Sequence, residues 1–196
     1  MRVFVAVLVL IFSFQSWAKA DDISDFEVEG ISVGDSLLNH ISEDEILKNI
    51  VNYNYKNDKY YVTSIQTLKY LKLYEFIEIY LKKNDKKYII YSIDAANFYD
   101  SKDKCLKDMD NITKDISEIF TSQINSNKDK LINHGDPSGK SIYYRTDWKI
   151  NNGDFVAIEC YFWSQEIKDK YNYGDHLRIS ATRKKIDDWL RYEALN

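Results

Sequence analysis

Residues 142–162, which read IYYRTDWKINNGDFVAIECYF, decide the class of this fold. Two runs of alternating apolar and polar residues, typical of half-buried strands, flank a turn sequence that contains Gly153. A two-residue turn would pair the aliphatic face of the second run with the charged face of the first, because a shift of one residue inverts every side chain. A three-residue loop, Asn151-Asn152-Gly153 with Gly153 left-handed, aligns the apolar faces and sets Arg145 opposite Glu159. We therefore predict an antiparallel hairpin with the three-residue loop.

Outward from this hairpin, helices and strands follow one another in blocks. Apolar spacing and capping residues predict helices over residues 43–52, 102–124 and 184–192. Alternating residues between turn signals predict strands over residues 60–65, 74–82, 87–94, 142–150, 156–162 and 177–183. A short edge strand is a candidate within 26–31, and the polar stretches 125–139 and 164–175 are predicted as loops. The main elements have the order α-βββ-α-βββ-α, which predicts an α+β fold whose antiparallel sheet has its helices packed on one face.

The first residues have the pattern of a secretory signal peptide. Arg2 precedes an apolar run over residues 3–14, and Ala18-Lys19-Ala20 ends in the small residues of a cleavage site, with Ala18 as the alternative position. The run is shorter than the ~20 apolar residues of a membrane span, although an uncleaved anchor remains the alternative. We expect a signal peptide at residues 1–20 and a single exported domain at 21–196. The predicted location is the periplasm or the exterior, with no stable membrane anchor after cleavage.

Composition excludes one class of partner. Removal of residues 1–20 takes away Arg2 and Lys19 and no acid, so the net charge falls by two from −4 to −6. A moderately acidic chain with no dense basic run is a poor binder of nucleic acid or of anionic membranes. The sixteen tyrosines could form a stacking surface, but an AT-rich genome also explains their number.

Cys105 and Cys160 are the two cysteines of the chain. Cys105 lies on the apolar stripe of the predicted long helix, and Cys160 lies on the apolar face of a predicted strand. Because export favours disulfides, we predict that the two are bonded and join helix to sheet, with two unrelated buried thiols as the alternative. Nothing nearby in the sequence would lower a thiol pKa, so a catalytic cysteine is disfavoured.

Several segments resemble a group of small, uncharacterised exported proteins of marine alphaproteobacteria. The likeness rests on the opening Phe-Glu-Val-Glu-Gly-Ile-Ser-Val-Gly-Asp-Ser-Leu-Leu at residues 26–38, on Cys105, and on three short motifs. These motifs are Ser138-Gly139-Lys140-Ser141, Cys160-Tyr161-Phe162-Trp163 and Asp175-His176-Leu177-Arg178. The group carries an acid before the tryptophan, where this chain has Phe162. The resemblance implies export and the cysteine pair, and it implies no activity. At the level of fold, the chain is also similar to β-lactamase-inhibitor-like and BamE-like modules, which is a weak guide to function.

Two short motifs resemble those of enzymes. Gly139-Lys140-Ser141 matches the end of a nucleotide-binding P-loop, but three residues instead of four separate Gly135 from Gly139, and a predicted strand follows instead of a helix. A polar turn that leads into a strand is therefore the favoured interpretation. The sequence around Ser138 does not match a nucleophile elbow, although a catalytic triad assembled from distant residues remains an alternative.

Metal sites have little support in the sequence. The histidines are scattered at positions 40, 134 and 176. Asp108 and Asp110 have the first spacing of an EF-hand loop, but no glycine follows at its sixth position, which favours a solvated helix face. No pair of histidines or cysteines has zinc-ligand spacing. We expect no metal and no cofactor.

Aromatic residues and arginine gather on the predicted sheet face that lies opposite the helices, and on the following loop. The candidate binding residues are Tyr161, Trp163, Tyr171, Tyr173, His176 and Arg178. These residue types are enriched at binding hot spots, although a solvated sheet face shares part of this composition. A binding surface here requires that Tyr161, Trp163, His176 and Arg178 be substantially exposed.

These observations assign no catalytic residue. The leading interpretation is a non-catalytic periplasmic or secreted accessory domain that binds another protein or an envelope component. The alternative is a small exported hydrolase whose site is assembled from distant residues, and a third is an inhibitor of a secreted enzyme.

Overall fold

A computed structural model describes residues 22–66, 71–120, 130–150 and 152–194; the predicted signal peptide at residues 1–20 lies outside these ranges. The strands are β1 (Glu27–Val28), β2 (Ile31–Ser32), β3 (Ile50–Val51), β4 (Tyr60–Ile65), β5 (Phe76–Lys82), β6 (Ile90–Phe98), β7 (Lys130–Ile132), β8 (Ile142–Lys149), β9 (Phe155–Phe162) and β10 (His176–Thr182). The helices are α1 (Glu43–Lys48), α2 (Lys102–Ile119), α3 (Gln165–Tyr171) and α4 (Lys184–Trp189). Together they confirm a mixed α+β protein with a large antiparallel sheet.

The hairpin of β8 and β9 has the predicted register. Arg145 pairs with Glu159, and the amide of Ile150 donates to the carbonyl of Asp154 at 2.8 Å. Gly153 has a φ of +87°, the left-handed conformation that the three-residue loop requires. Asn151 of that loop lies outside the described residues. Local sequence therefore predicts this hairpin correctly.

Strand β10 joins two blocks of the main sheet, a first block of β3–β6 and a second block of β7–β9. The eight strands have the order β3-β4-β5-β6-β10-β9-β8-β7. Strand β10 pairs with β6 on one side and with β9 on the other, so that His176 lies between Phe98 and Tyr161. The last strand in the chain therefore forms the centre of the sheet.

One face of the sheet forms the larger core with α2. Alternate residues of β5, β6, β9 and β10 point to this face and are buried with Met109 and Ile116 of the helix. Cys105 of α2 is bonded to Cys160 of β9, and their Cα atoms are 6.2 Å apart. The predicted disulfide is thus present, and it joins helix to sheet.

The expectation that all helices pack on one face is wrong. Ile186 and Trp189 of α4 are fully buried against Tyr60, Val62 and Tyr80. These residues of β4 and β5 alternate with those of the α2 core, so they belong to the opposite face. The reason is that β4 and β5 carry apolar residues on both faces, and each face needs a cover.

The predicted order α-βββ-α-βββ-α also needs correction, because it omits several short elements. The chain has a β1–β2 hairpin, the edge strands β3 and β7, and helix α3 within the predicted loop 164–175. Helix α3 begins where the Ser164 side chain accepts a hydrogen bond from the amide of Ile167. Helix α1 ends at Lys48, because the β-branched Ile50 and Val51 pair with β4.

The ends of the other helices differ by smaller amounts. Helix α2 ends at Ile119, and residues 121–129, which include the end of that predicted helix and the start of the predicted loop, lie outside the described residues. Helix α4 ends at Trp189 and continues as a π-helical turn over Leu190–Ala194. Within the described ranges, no helix has both the length and the apolar character to cross a membrane.

Candidate functional site

Four of the six predicted binding residues line a single cavity of about 310 Å³. They are Trp163, Tyr173, His176 and Arg178. Tyr161 lies beside the cavity, where its ring stacks on Trp163 and His176. Tyr171 lies outside the lining and contacts Tyr173, with ring centroids 5.6 Å apart. The predicted residues therefore form one neighbourhood, but a concave site replaces the expected open surface.

The exposure that the binding hypothesis requires is met only in part. Tyr161, Trp163, His176 and Arg178 are half-buried, whereas Tyr171 and Tyr173, the other two predicted residues, are exposed. The indole nitrogen of Trp163 is buried and has no hydrogen-bond partner. Trp163 therefore belongs partly to the packing of the protein and partly to the wall of the cavity.

Aromatic side chains from both blocks of the sheet form the walls of the cavity. This set, called the aromatic pocket below, comprises Tyr53, Phe76, Phe98, Trp163, Tyr173 and His176. The rings contact one another: Trp163 and Tyr173 have centroids 5.0 Å apart, and Phe76 and Phe98 have centroids 5.6 Å apart. The His176 ring lies 6.2 Å from that of Phe98 and links the two walls. Small residues, Ala96 and Gly174, complete the lining with Asn172.

Two carboxyl groups lie on the same sheet face at the base of the pocket. Glu78 of β5 and Asp94 of β6 are directly paired across the strands, and we call them the carboxylate pair. The hydroxyl of Tyr53 donates to Glu78, and an Arg178 nitrogen lies 3.8 Å from Asp94. Burial raises the pKa of Asp94 against the opposing charge of Arg178, and burial also raises the pKa of Glu78 against its bond from Tyr53. Both acids therefore hold their protons more tightly than acids in water do.

A third acid, Glu159, is held between two arginines. It is 1% exposed and accepts from Arg145 at 2.7 Å and from the Arg178 Nε atom at 3.0 Å. Burial raises the pKa of Glu159, but the charges of Arg178 and Arg145 outweigh burial and lower it to about 2. The predicted Arg145–Glu159 pair is confirmed, whereas the interpretation of this face as solvated is wrong at Glu159. The side chain is buried because the arginines and Tyr161 enclose it.

The charges around the pocket do not balance. Arg178 is bonded to Glu159 and donates to the Tyr161 hydroxyl at 2.7 Å. Arg145 is shared between Glu159 and Asp147. Arg145 and Arg178 are thus engaged by Glu159 and Asp147, and the one cation close to the carboxylate pair is Arg178, 3.8 Å from Asp94. The closer partners of the pair are neutral: the Ser180 side chain bonds to Asp94, and the Tyr53 hydroxyl donates to Glu78. Among the described residues that line the cavity, Arg178 is the one cation and Glu78 and Asp94 are the two acids, so the pocket carries an excess of negative charge whenever both acids are ionised.

His176 lines the cavity, and one of its ring nitrogens is already engaged by the backbone. Its Nδ1 atom lies 2.9 Å from the carbonyl oxygen of Gly174. Burial lowers the pKa of His176 despite that carbonyl, so the ring is neutral near neutral pH. Neither a serine nor a cysteine is among the described residues of the lining.

The P-loop-like segment has a structural role. Asp136 is buried and accepts from the amide of Ser138 at 2.8 Å and from the Ser141 hydroxyl at 2.6 Å. The side-chain bond from Ser141, with that from Ser138, lowers the pKa of Asp136. The Ser141 hydroxyl in turn accepts from the amide of Ser164. This segment is a polar turn that leads into β8, and it presents no helix N-terminus to a phosphate.

The aromatic pocket opens into a shallow groove. The groove is a second cavity of about 380 Å³, which shares Phe76, Glu78 and Phe98 with the pocket. It adds the polar side chains of Gln66 and Glu75. A ligand longer than the pocket can therefore extend along the outer ends of β5 and β6.

The described part of the chain contains no cluster of three or more histidine, cysteine, aspartate or glutamate side chains that could hold a metal ion. The carboxylate pair supplies two acids, whereas Ca²⁺ takes six to eight oxygen ligands.

No protein-family model, curated protein sequence or solved structure matches this chain. The resemblance to exported alphaproteobacterial proteins accordingly remains a prediction from sequence motifs.

Eight of the twelve described residues that line the cavity were not predicted from the sequence. Of these, Phe76, Glu78, Asp94 and Phe98 lie on β5 and β6, and Tyr53 lies in the connection between β3 and β4. The sequence does contain a signal for the four strand residues. Phe76 and Glu78 of β5 are two residues apart, and Asp94 and Phe98 of β6 are four residues apart, so the members of each pair lie on one face of their strand. Their approach to β10, however, depends on a pairing between distant segments that no local pattern specifies.

Proposed function

We propose that this chain is a non-catalytic accessory domain, exported to the periplasm or secreted, that binds a compact organic group in the aromatic pocket. The group is either a free small molecule or a part of a larger envelope component. The observation that carries the proposal is the convergence of six aromatic rings and three charged side chains on one cavity of about 310 Å³. Ligand sites are typically concave, largely apolar and provided with a few polar groups that orient the ligand.

The disulfide supports the exported location. Cys105 and Cys160 are bonded in the core, and structural disulfides persist in oxidising compartments. The signal-peptide pattern of residues 1–20 gives independent support from the sequence.

Two neighbouring tyrosines allow a matched test of the binding function. Tyr173 lines the pocket and Tyr171 does not, although they are 47% and 51% exposed. We would first identify ligands of the mature protein by the rise in Tm across a library of small organic compounds. Tyr173→Ala and Trp163→Ala should each weaken binding of a ligand so identified by at least tenfold in calorimetry, because each removes a wall of the pocket.

Tyr171→Ala serves as the control and should change affinity by less than twofold. Trp163→Ala is expected to cost some stability, because its ring is half-buried. If both tyrosine variants bind equally well, or if no compound in the library binds, the pocket is not the functional site.

A hydrolase is the second candidate, and the carboxylate pair is the observation that favours it. Two acids with raised pKa values on adjacent strands could divide the roles of general acid and base. The test is product release from chromogenic glycosides and esters. Turnover that Glu78→Gln abolishes while ligand binding remains would replace the accessory role with catalysis.

A further inference from the structure

The excess negative charge of the aromatic pocket indicates the charge of its ligand. The guanidinium of Arg178 is already engaged by Glu159 and Tyr161. Its nearest nitrogen to Asp94 is 3.8 Å away, beyond hydrogen-bond distance. Glu78 receives only a neutral donor, the hydroxyl of Tyr53. A cation between the half-buried Glu78 and the buried Asp94 would supply the opposite charge that this pair lacks.

The walls of the pocket also favour a cation. The faces of aromatic rings carry partial negative charge and attract ammonium groups within about 6 Å of the ring centre. The protein already uses this interaction next to the site, where the guanidinium carbon of Arg178 lies 5.0 Å from the Tyr161 ring centre. Trp163 and Tyr173, with centroids 5.0 Å apart and planes inclined by 56°, form a corner rather than a flat stack. Such a corner suits a rounded methylated or primary ammonium head.

The groove indicates where the rest of the ligand lies. Phe76 and Phe98 border both the pocket and the groove, and Glu78 lies at the junction. An apolar body attached to the ammonium can therefore cover these two rings while the head remains at the carboxylate pair.

We propose that the aromatic pocket binds an organic ammonium compound, with its cationic head between Glu78 and Asp94 and its apolar body over Phe76 and Phe98. This inference rests on the proposed binding function and names the class of ligand for the same site. Ca²⁺ is a poorer occupant, because two carboxylates supply few of the six to eight oxygen ligands that it takes.

The experiment compares two probes of nearly the same shape, choline and 3,3-dimethyl-1-butanol, which differ by one positive charge. Binding to the mature, oxidised protein is measured by calorimetry and by tryptophan fluorescence. Choline should bind at least tenfold more tightly than the neutral alcohol. Glu78→Gln and Asp94→Asn should each weaken choline binding by at least tenfold and leave binding of the alcohol within twofold.

Glu166→Gln is the matched control, since it removes one negative charge from the exposed start of α3, outside the described lining of the cavity. It should change choline affinity by less than twofold. Asp94 is buried, so the fold of Asp94→Asn is checked by circular dichroism, and the half-buried Glu78 provides an independent variant.

The outcomes separate this inference from the proposed function. Equal binding of the two probes, or tighter binding of the alcohol, overturns the ammonium class. The ammonium class is also overturned if the library yields only neutral or anionic ligands. If Trp163→Ala or Tyr173→Ala abolishes the binding of those ligands, the proposed binding function still stands. If no compound of any class binds, both proposals fail.

Discussion

Glu159 shows, at the scale of one residue, how this sheet holds a charge in its interior. Its carboxylate accepts from two arginines that lie on the strands to either side, β8 and β10. The Arg145 partner could be predicted from the hairpin register, because that pairing is local. The Arg178 partner could be predicted only as a neighbour on the same face, since it depends on β10 pairing with β9. An acid held in this way is stabilised in its ionised form.

The low pKa of Glu159 gives the protein a stability that acid removes. The folded pKa of about 2 is below the ordinary value of 4.5, so this contribution is complete above pH 4.5 and is lost as the pH falls towards 2. The shift corresponds to roughly 3 kcal/mol of unfolding free energy. Asp94 and Glu78, whose pKa values are raised, act in the opposite sense and offset part of the loss.

Urea unfolding between pH 7 and pH 2 measures this dependence. Glu159→Gln should be less stable at pH 7, because it leaves two arginines without their charged partner, and its stability should fall less steeply below pH 4.5. Parallel pH profiles for the two proteins would show that Glu159 does not carry the acid sensitivity.

At the scale of elements, the parts that local sequence determines were predicted well. The β8–β9 hairpin has its determinants within 21 adjacent residues, including the left-handed Gly153. The start of α1 is likewise local, because Ser42 and Glu45 form the predicted capping box. Helix α3 was missed, although its N-cap Ser164 is present, because its seven residues bury only Ile167 and show no apolar stripe.

The bond between α2 and β9 should contribute strongly to stability. It links residues that are 55 apart in the sequence, and the chain-entropy model assigns about 4 kcal/mol to a loop of this length. Cys105→Ala/Cys160→Ala should therefore lower the unfolding free energy by about that amount in denaturant titrations. Wild-type protein treated with a reductant should match the double variant, and wild-type stability that is unaffected by the reductant would contradict the expectation.

At the scale of the whole molecule, the described residues form two cores on opposite faces of one sheet, and α4 closes the second. Trp189 is fully buried there, with its ring 5.2 Å from Tyr60 and 4.9 Å from Tyr55. The second core occupies the part of the face next to β4, and the aromatic pocket occupies the part next to β10. The sequence shows which residues of α4 are apolar, but it does not show on which face of the sheet they pack. The prediction therefore placed all helices on the same face.

Trp189→Ala should cost about 3–5 kcal/mol of unfolding free energy, as expected for a fully buried tryptophan in a core. Trp189→Phe keeps an aromatic ring against Tyr60 and should lose clearly less. Equilibrium unfolding in guanidinium chloride measures both. A loss below 1 kcal/mol for Trp189→Ala would mean that α4 does not stabilise the sheet.

The central position of β10 has a consequence for the nascent chain. Synthesis proceeds from the N-terminus, so β6 and β9 both exist before the strand that will lie between them. Until then each has an unpaired edge, which is open to association with other chains. The pairing of β6 with β10 spans most of the second half of the sequence, and such distant pairings form slowly. The aromatic pocket is built across this same junction, so the proposed binding site is complete only when folding is nearly finished. A ligand that binds as proposed would therefore report the fraction of finished molecules in a folding reaction.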